Sequence, residues 1–391
     1  MVVPHESYAR LFLRFLRFGL LAWGGPVAQI AMIRQELVED EHWVSPERFN
    51  RALAVYQVLP GPEAHELCVY FGMIARGRLG GLLAGLGFML PGLILMLALS
   101  WFYFAVGIDT PLFAAIFRGF QPAVAALIVR AVHRIGGHAL SDRWLWAIAL
   151  IVGIAELLGV SFWLSLAFAG LTYVFIKRGQ YGVAALIGVA FVAGSILLLN
   201  SPATALATAS PAAATGQPSL LNLFVSGLRG GLLTFGGAYT AIPFLQRDAV
   251  TIGGWMTSAQ FLDGLALSGI LPAPLIIFST FIGYSGGGLP GALAITTGIF
   301  LPAFAFTLIG HDYVERLIEN KALHTFLEGI TAGVVGIIAA TTLNLMRATL
   351  TDLPALVIFA LALIALYRWK AKAAVAGVVL GAGLLGLLLR A

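Results

Sequence analysis

The chain has 391 residues, of which 60% are hydrophobic and only 10% are charged, and its one cysteine is Cys68. Soluble proteins contain about 25% charged residues, so this composition excludes an ordinary soluble domain. The single cysteine excludes an intramolecular disulfide framework, and the net charge of +5 is spread without the basic block that would indicate nucleic-acid binding. The sequence therefore predicts an all-α polytopic membrane protein.

A membrane-spanning helix needs about 20 mostly apolar residues, and about thirteen stretches approach this length, some of them short enough to be re-entrant. In chain order they are 12–33, 52–74, 79–106, 112–130, 144–160, 162–176, 183–199, 221–245, 259–284, 288–310, 325–346, 353–367 and 373–389. If all cross the membrane and the N-terminus is cytoplasmic, most of the 23 Lys and Arg residues lie inside, as the positive-inside rule expects. This arrangement places 34–51 outside and 246–258 inside.

The sequence repeats itself at a shift of 211 to 212 residues, which superposes glycines, prolines and tryptophans in the same order. We therefore divide it into an N-terminal membrane repeat, 1–182, and a C-terminal membrane repeat, 220–391. The connector 183–219 contains one odd span and an uncharged, proline-containing external linker. An odd connector inverts the second half, which is a recurrent plan of secondary transporters. A parallel duplication with one miscounted span is the alternative.

Each half interrupts its apolar helices twice, at positions that the repeat superposes. Backbone breaks at membrane depth are tolerated where they line a cavity, and matched breaks are the best sequence indication of a transporter's substrate site. The freed N–H groups and the helix dipole at such ends favour an anion. The breaks are Trp23-Gly24-Gly25-Pro26, Leu59-Pro60-Gly61-Pro62-Glu63, Phe235-Gly236-Gly237-Ala238-Tyr239 and Leu271-Pro272-Ala273-Pro274.

Further motifs accompany these breaks across residues 12–346. They are Arg34-Gln35-Glu36, Trp43, Gly80-Gly81, Phe88-Met89-Leu90-Pro91, Trp255 and Gln260-Phe261-Leu262-Asp263-Gly264-Leu265-Ala266. In this combination the chain resembles the chromate ion transporter family in its long, two-domain form. The resemblance implies a carrier of the bacterial inner membrane that exports chromate and so confers chromate resistance, with sulfate as a structurally similar oxyanion.

The chain departs from the family pattern at two places. Trp23 stands where the family usually has Phe. Ala273 replaces the glycine of the second Pro-Gly-Pro motif, and Ser268-Gly269-Ile270 replaces the polar residues that often precede it. The second departure leaves the second half's share of the site, and therefore the choice of oxyanion, open.

Charges within the spans are the remaining candidates, because each is costly in a membrane and functional by default. Arg118 and Arg229 can neutralise a dianion, although either side chain can instead extend to the interface. Glu63 and Asp263 repel an anion, so each is predicted to carry a proton or to hold an arginine in place. The predicted substrate-binding set is Gly24, Gly25, Pro26, Gln29, Gln57, Pro60, Gly61, Pro62, Glu63, Arg118, Arg229, Gly236, Gly237, Tyr239, Asp263, Pro272 and Pro274.

Other polar groups are expected to be structural. Glu156 has no counterpart in the repeat and is interpreted as a packing or hydrogen-bonding residue. The acidic and histidine residues of 311–324 have the spacing of a solvated helix, so no metal site and no cofactor are predicted.

The sequence therefore predicts a secondary transporter that exports an oxyanion by alternating access, driven by the membrane potential or a proton gradient. Its partners are the oxyanion and membrane lipid, and it is not expected to be an enzyme. A carrier for sulfate or another small anion, a membrane-embedded enzyme and a channel are the alternatives. The sequence leaves open whether two copies form a homodimer.

Overall fold

The computed structural model is helical, with no strand in the residues it describes, which are 6–106, 110–200, 217–235, 237–310, 321–369, 371 and 373–390. The helices of the first half and the connector are α1 Tyr8–Leu20, α2 Gly25–Arg34, α3 Pro46–Val58, α4 Glu63–Val106, α5 Pro111–Ala139, α6 Arg143–Leu157, α7 Phe162–Lys177 and α8 Tyr181–Leu199. Those of the second half are α9 Leu220–Leu232, α10 Ile242–Gln246, α11 Ser258–Ile270, α12 Phe278–Leu308, α13 Lys321–Thr349, α14 Leu353–Arg368 and α15 Ala374–Arg390.

Several of these helices have the length and composition of membrane spans. Within the described residues, five long apolar helical stretches meet both criteria: Glu63–Val106, Pro111–Ala139, Tyr181–Leu199, Leu275–Leu308 and Ala322–Thr349. Many large apolar side chains on these and neighbouring helices point outward, including Leu186, Leu197 and Leu388. Such a surface is stable only against lipid. The chain is a multi-pass membrane protein.

The first apolar stretch, 12–33, folds back on itself and does not make a single crossing. A straight helix of that length would separate its ends by about 33 Å. Arg14 on α1 instead lies 3.2 Å from Glu36 and 2.5 Å from Glu41, which both follow α2. The two ends of the stretch therefore lie at the same level, and α1 and α2 form a hairpin.

The second stretch, 52–74, folds back in the same way. Arg48, near the start of α3, donates a hydrogen bond to the Tyr70 hydroxyl at 3.1 Å. The rings of Trp43 and Phe49 both pack against Phe71, each with a centroid distance of 6.2 Å. The start of α3 and the end of the first segment of α4 therefore lie together, and 34–51 stays at the end of the molecule where α1 begins.

The second half contains the same two hairpins. Asp248, which follows α10, pairs with Arg229 on α9 at 2.8 Å and accepts a hydrogen bond from Ser226 at 2.7 Å. Ser285, late in the next hairpin, donates to the Trp255 carbonyl at 3.3 Å. The stretches 221–245 and 259–284 are therefore hairpins, and 246–258 stays at the end where α9 begins.

The backbone repeats its unusual features at the shift found in the sequence. The φ/ψ angles are −146°/30° at Arg76 and 65°/−162° at Gly77, where α4 is kinked. They are −166°/26° at Gly287 and 58°/−149° at Gly288, where α12 is kinked. The helix caps repeat as well, because Ser7 and Ser219 each cap the first helix of a half.

Close glycine contacts hold the two segments of each kinked helix together. A Cβ added to Gly72 would lie 2.4 Å from the Gly80 carbonyl oxygen, and Gly283 has the same relation to Gly291. These distances leave no room for a methyl group. Small residues permit such close approach between membrane helices.

We expect Gly72→Ala to destabilise the first half by about 1–3 kcal/mol, because the added methyl group must displace backbone and not a flexible side chain. The measurement is the thermal unfolding midpoint in detergent. Gly188→Ala on α8 is the matched control, since a Cβ there meets nothing within 4 Å. Equal midpoints for the two variants would contradict the close packing at Gly72.

Candidate substrate site

The four chain breaks meet inside the protein and are joined in pairs across the two halves. The Gln29 amide on α2 donates to the Ala22 carbonyl at 3.0 Å and to the Ala273 carbonyl at 3.2 Å. The Gly61 N–H donates to the Thr234 carbonyl at 2.9 Å. The first break is thus joined to the fourth, and the second to the third. These bonds satisfy carbonyls that interrupted helices leave free.

The local sequence explains why the helices stop at these points. Gly24, Gly25 and Gly237 have φ angles of 92°, 76° and 118°, which residues with a Cβ rarely adopt. Proline supplies no N–H and disfavours the helical conformation of the residue before it. The prolines at 60, 62, 272 and 274 therefore keep the second and fourth breaks extended.

A cavity of about 350 Å³ lies beside the breaks. Both halves contribute to it, together with the C-terminal part of α5, which supplies its basic side chains. The residues that line it are Pro26, Val27, Gln57, Glu63, Arg134, Ile135, His138, Ala139, Gly237 and Thr331. We call it the inner cavity. A smaller cavity of about 180 Å³ shares Gln57, His138, Ala139 and Thr331 with it and continues toward Ser141, at the end where α5 stops.

Sequence analysis did not select the basic side chains of the inner cavity, Arg134 and His138, as candidates. Arg130, Arg134 and His138 lie four residues apart on α5, so they share one face of that helix. Arg134 is solvent-exposed and interacts electrostatically with Glu63, and both arginines interact with Tyr239. Hydropathy predicts that the apolar stretch 112–130 ends at Arg130, but α5 continues to Ala139. The spacing of the three basic residues is the signal that could have found them.

The inner cavity brings together four of the predicted residues: Pro26, Gln57, Glu63 and Gly237. A second group belongs to the breaks or lies next to them: Gly24, Gly25, Gln29, Pro60, Gly61, Pro62, Tyr239, Pro272 and Pro274. Gly236 lies outside the described residues. The predicted site is therefore largely assembled in one region.

Arg118 and Asp263 lie elsewhere, in a cavity of about 470 Å³ near the opposite end of α5. Asp263 is 1% exposed and accepts hydrogen bonds from the Tyr103 hydroxyl at 2.7 Å and the Gln121 amide at 3.1 Å. Arg118 is exposed and lines the same space. The structure does not bring either residue to the inner cavity.

Arg229 also lies away from the inner cavity. It is paired with Asp248 and lines a separate cavity of about 540 Å³ with Ser226 and Trp255. In the first half, Arg17 and Glu36 occupy the related positions and also form an ion pair. The ion pair of Arg229 with Asp248 therefore joins the two ends of the hairpin that α9 and α10 form.

Two other polar residues noted in the sequence lie near charged partners. Glu156 lies 4.0 Å from Arg247. His324 lies 3.3 Å from Glu328, one turn further along α13. Residues 311–320, which hold most of the acidic cluster noted in the sequence, lie outside the described residues.

Comparison with known proteins identifies the family of the chain. The chromate transporter family model matches residues 9–195 and again 221–387, so each half matches separately. The chain belongs to the chromate transporter family. The chromate transport protein of Pseudomonas aeruginosa is 57% identical to this chain, and the match covers 98% of this chain and 93% of that protein.

Two more distant relatives also match along nearly their whole length. The probable chromate transport protein of Synechococcus elongatus is 31% identical, over 97% of both chains. The chromate transport protein of Cupriavidus metallidurans is 30% identical, over 98% of this chain and 94% of its own. No solved structure matches this family member.

Proposed function

We propose that the protein exports chromate from the cytoplasm across the bacterial inner membrane by alternating access at the interface of its two halves. The observation that carries this proposal is the inner cavity, in which Arg134 and His138 face the helix breaks of both halves. A tetrahedral dianion needs several donors, and a guanidinium offers a planar pair of them.

The proposed topology is a pair of inverted repeats. Each half contributes two re-entrant hairpins and four crossings, and α8 is the odd crossing between them. With a cytoplasmic N-terminus, the hairpins keep Arg34, Arg48 and Arg51 inside and place Arg247 outside, which strengthens the positive-inside bias. The proposed topology therefore moves 34–51 from the outside to the inside and 246–258 from the inside to the outside. The two segments remain on opposite sides of the membrane.

The same topology opens the inner cavity toward the cytoplasm. The second segment of α4 leads away from the N-terminal end, so α5 returns to that end at Ala139. The cavity continues past His138 and Ser141 in this direction. An oxyanion entering from the cytoplasm would pass the smaller cavity, which His138, His324 and Glu328 line, before it meets Arg134. Pro26 and Gly237, which belong to the breaks, line the same cavity as Arg134.

The membrane potential favours export of an anion. With the inside negative, each exported negative charge gains about 2.3 kcal/mol per 100 mV, so a dianion gains about 4.6 kcal/mol. Rocking of the halves about the paired breaks would close the cytoplasmic cavity and open a route on the other side. The few hydrogen bonds that join the halves at the breaks are compatible with such a motion.

Inside-out membrane vesicles provide the test, because their outer face is the cytoplasmic one. We expect saturable accumulation of radiolabelled chromate, inhibited by excess sulfate if the site recognises the tetrahedral dianion. Vesicles from cells without the protein are the control. Accumulation equal to that control would contradict chromate transport, and stronger accumulation of sulfate than of chromate would assign a different oxyanion.

A further inference from the structure

Glu63 is an acidic residue in a cavity that is otherwise suited to an anion. It is 8% exposed, and it begins α4 directly after the second break. The charged or titratable groups near it are Arg134 and His138 on α5, Tyr239 in the third break and Glu66 on its own helix. Arg134 lines the same cavity and is the cation that electrostatically favours the charged form of Glu63.

Glu66 does not carry a second negative charge next to Glu63. It is 0% exposed, and neither of its carboxyl oxygens has a hydrogen-bond partner among the described residues. An isolated carboxylate in such a place is prohibitively costly, so Glu66 stays protonated. The pair therefore holds one negative charge at most, on Glu63, and that charge depends on Arg134.

A dianion that enters the inner cavity competes with Glu63 for Arg134. Once the guanidinium binds the oxyanion, the Glu63 carboxylate is buried beside two further negative charges and has lost its counter-charge. Like charges in a shared site favour protonation of the carboxylate. The proton comes from cytoplasmic water at the cavity mouth, and its bond forms at a carboxylate oxygen of Glu63.

We propose that binding of each oxyanion is coupled to uptake of one proton by Glu63, so that the carrier moves a proton together with the dianion. The inference rests on the proposed function. When the oxyanion leaves on the far side, the charge of Arg134 again stabilises the Glu63 carboxylate and the O–H bond breaks, which releases the proton there. One cycle then moves a net charge of −1, so the membrane potential still drives export.

The coupling can be measured on the purified full-length protein in detergent by calorimetric titration with chromate. The titration is repeated in buffers of different ionisation enthalpy, at an alkaline pH where free chromate is already the dianion. The wild type is expected to take up one proton per bound chromate. Because the proton binds with the ligand, chromate affinity should fall about tenfold per pH unit where Glu63 is unprotonated in the free protein.

Glu63→Gln mimics the protonated carboxyl group at nearly the same size. We expect this variant to bind chromate with no proton uptake and with an affinity that no longer depends on pH. Glu47→Gln, at an exposed carboxyl group on α3, is the matched control and should retain the uptake of one proton. Glu66→Gln should retain it as well, because Glu66 is already neutral.

Each contrary result has a distinct meaning. Chromate binding by the wild type without proton uptake would overturn the coupling and leave the proposed transport function intact. Proton uptake that persists in Glu63→Gln but is lost in His138→Asn would assign the proton to the histidine and overturn the role of Glu63. Absence of chromate binding by the wild type would overturn the proposed function and this inference together.

Discussion

Arg134→Gln is expected to reduce chromate transport at least thirtyfold. Each hydrogen bond from the guanidinium to a charged oxyanion is worth about 1.5–3 kcal/mol, and each 1.4 kcal/mol is a factor of ten. The substitution removes the paired donors of the guanidinium, and the other basic residue of the inner cavity, His138, lies one turn further along α5. The measurement is the initial rate of chromate uptake into inside-out vesicles, normalised to the amount of protein.

Arg143→Gln is the matched control for this variant. Arg143 begins α6 at the same end of the molecule and stacks on the Trp144 ring, away from the inner cavity. The Arg143→Gln variant should transport chromate at the wild-type rate. Arg134→Lys keeps the charge but loses the paired donors, so we expect an intermediate rate. A wild-type rate in Arg134→Gln would show that the inner cavity does not bind the oxyanion.

Gln29→Leu is expected to lower the transport rate at least tenfold and also to destabilise the fold. Its amide joins the first break to the fourth, and the substitution leaves the Ala22 and Ala273 carbonyls buried without a donor. Each unsatisfied group costs about 1–3 kcal/mol. The measurements are the vesicle uptake rate and the thermal unfolding midpoint.

Gln35→Leu makes the same chemical change at an exposed position. Gln35 follows α2 and donates to Asp40 at 2.8 Å, far from the breaks. The Gln35→Leu variant should have the uptake rate and the unfolding midpoint of the wild type. If Gln29→Leu behaved in the same way, the contact between the first and fourth breaks would have no part in holding the halves together.

The sequence predicted the breaks well, because glycine and proline determine backbone conformation locally. Gly24, Gly25 and Gly237 adopt left-handed φ angles, and helices end before the prolines of the second and fourth breaks. The backbone carries the repeat that the sequence predicts, since the dihedral angles at Gly77 resemble those at Gly288.

Local glycine and proline patterns do not show whether the chain between two breaks crosses the membrane or folds back as a hairpin. Hydropathy measures how apolar a stretch is, and a re-entrant hairpin is as apolar as a crossing helix. The stretch 12–33 is therefore indistinguishable by composition from a span. The ion pairs from Arg14 to Glu36 and Glu41 identify the hairpin, and they join residues that a linear reading places on opposite sides of the membrane.

The two arginines predicted from the sequence do not line the inner cavity, for a related reason. Arg118 and Arg229 were chosen because they lie within apolar stretches, but the first lines a different cavity and the second pairs with Asp248. Arg134 was overlooked because it follows an apolar stretch and so counted toward membrane topology. Which basic residue meets the breaks depends on how α5 packs between the halves, and composition does not contain that information.

The most direct test of export through the inner cavity is chromate uptake by inside-out vesicles as a function of an imposed potential. With the vesicle interior positive, which reproduces the polarity of the cell, uptake by the wild type should rise as the potential increases, and uptake by Arg134→Gln should stay near the level of vesicles without the protein. Wild-type uptake that does not respond to the potential, or Arg134→Gln uptake equal to the wild type, would contradict the account.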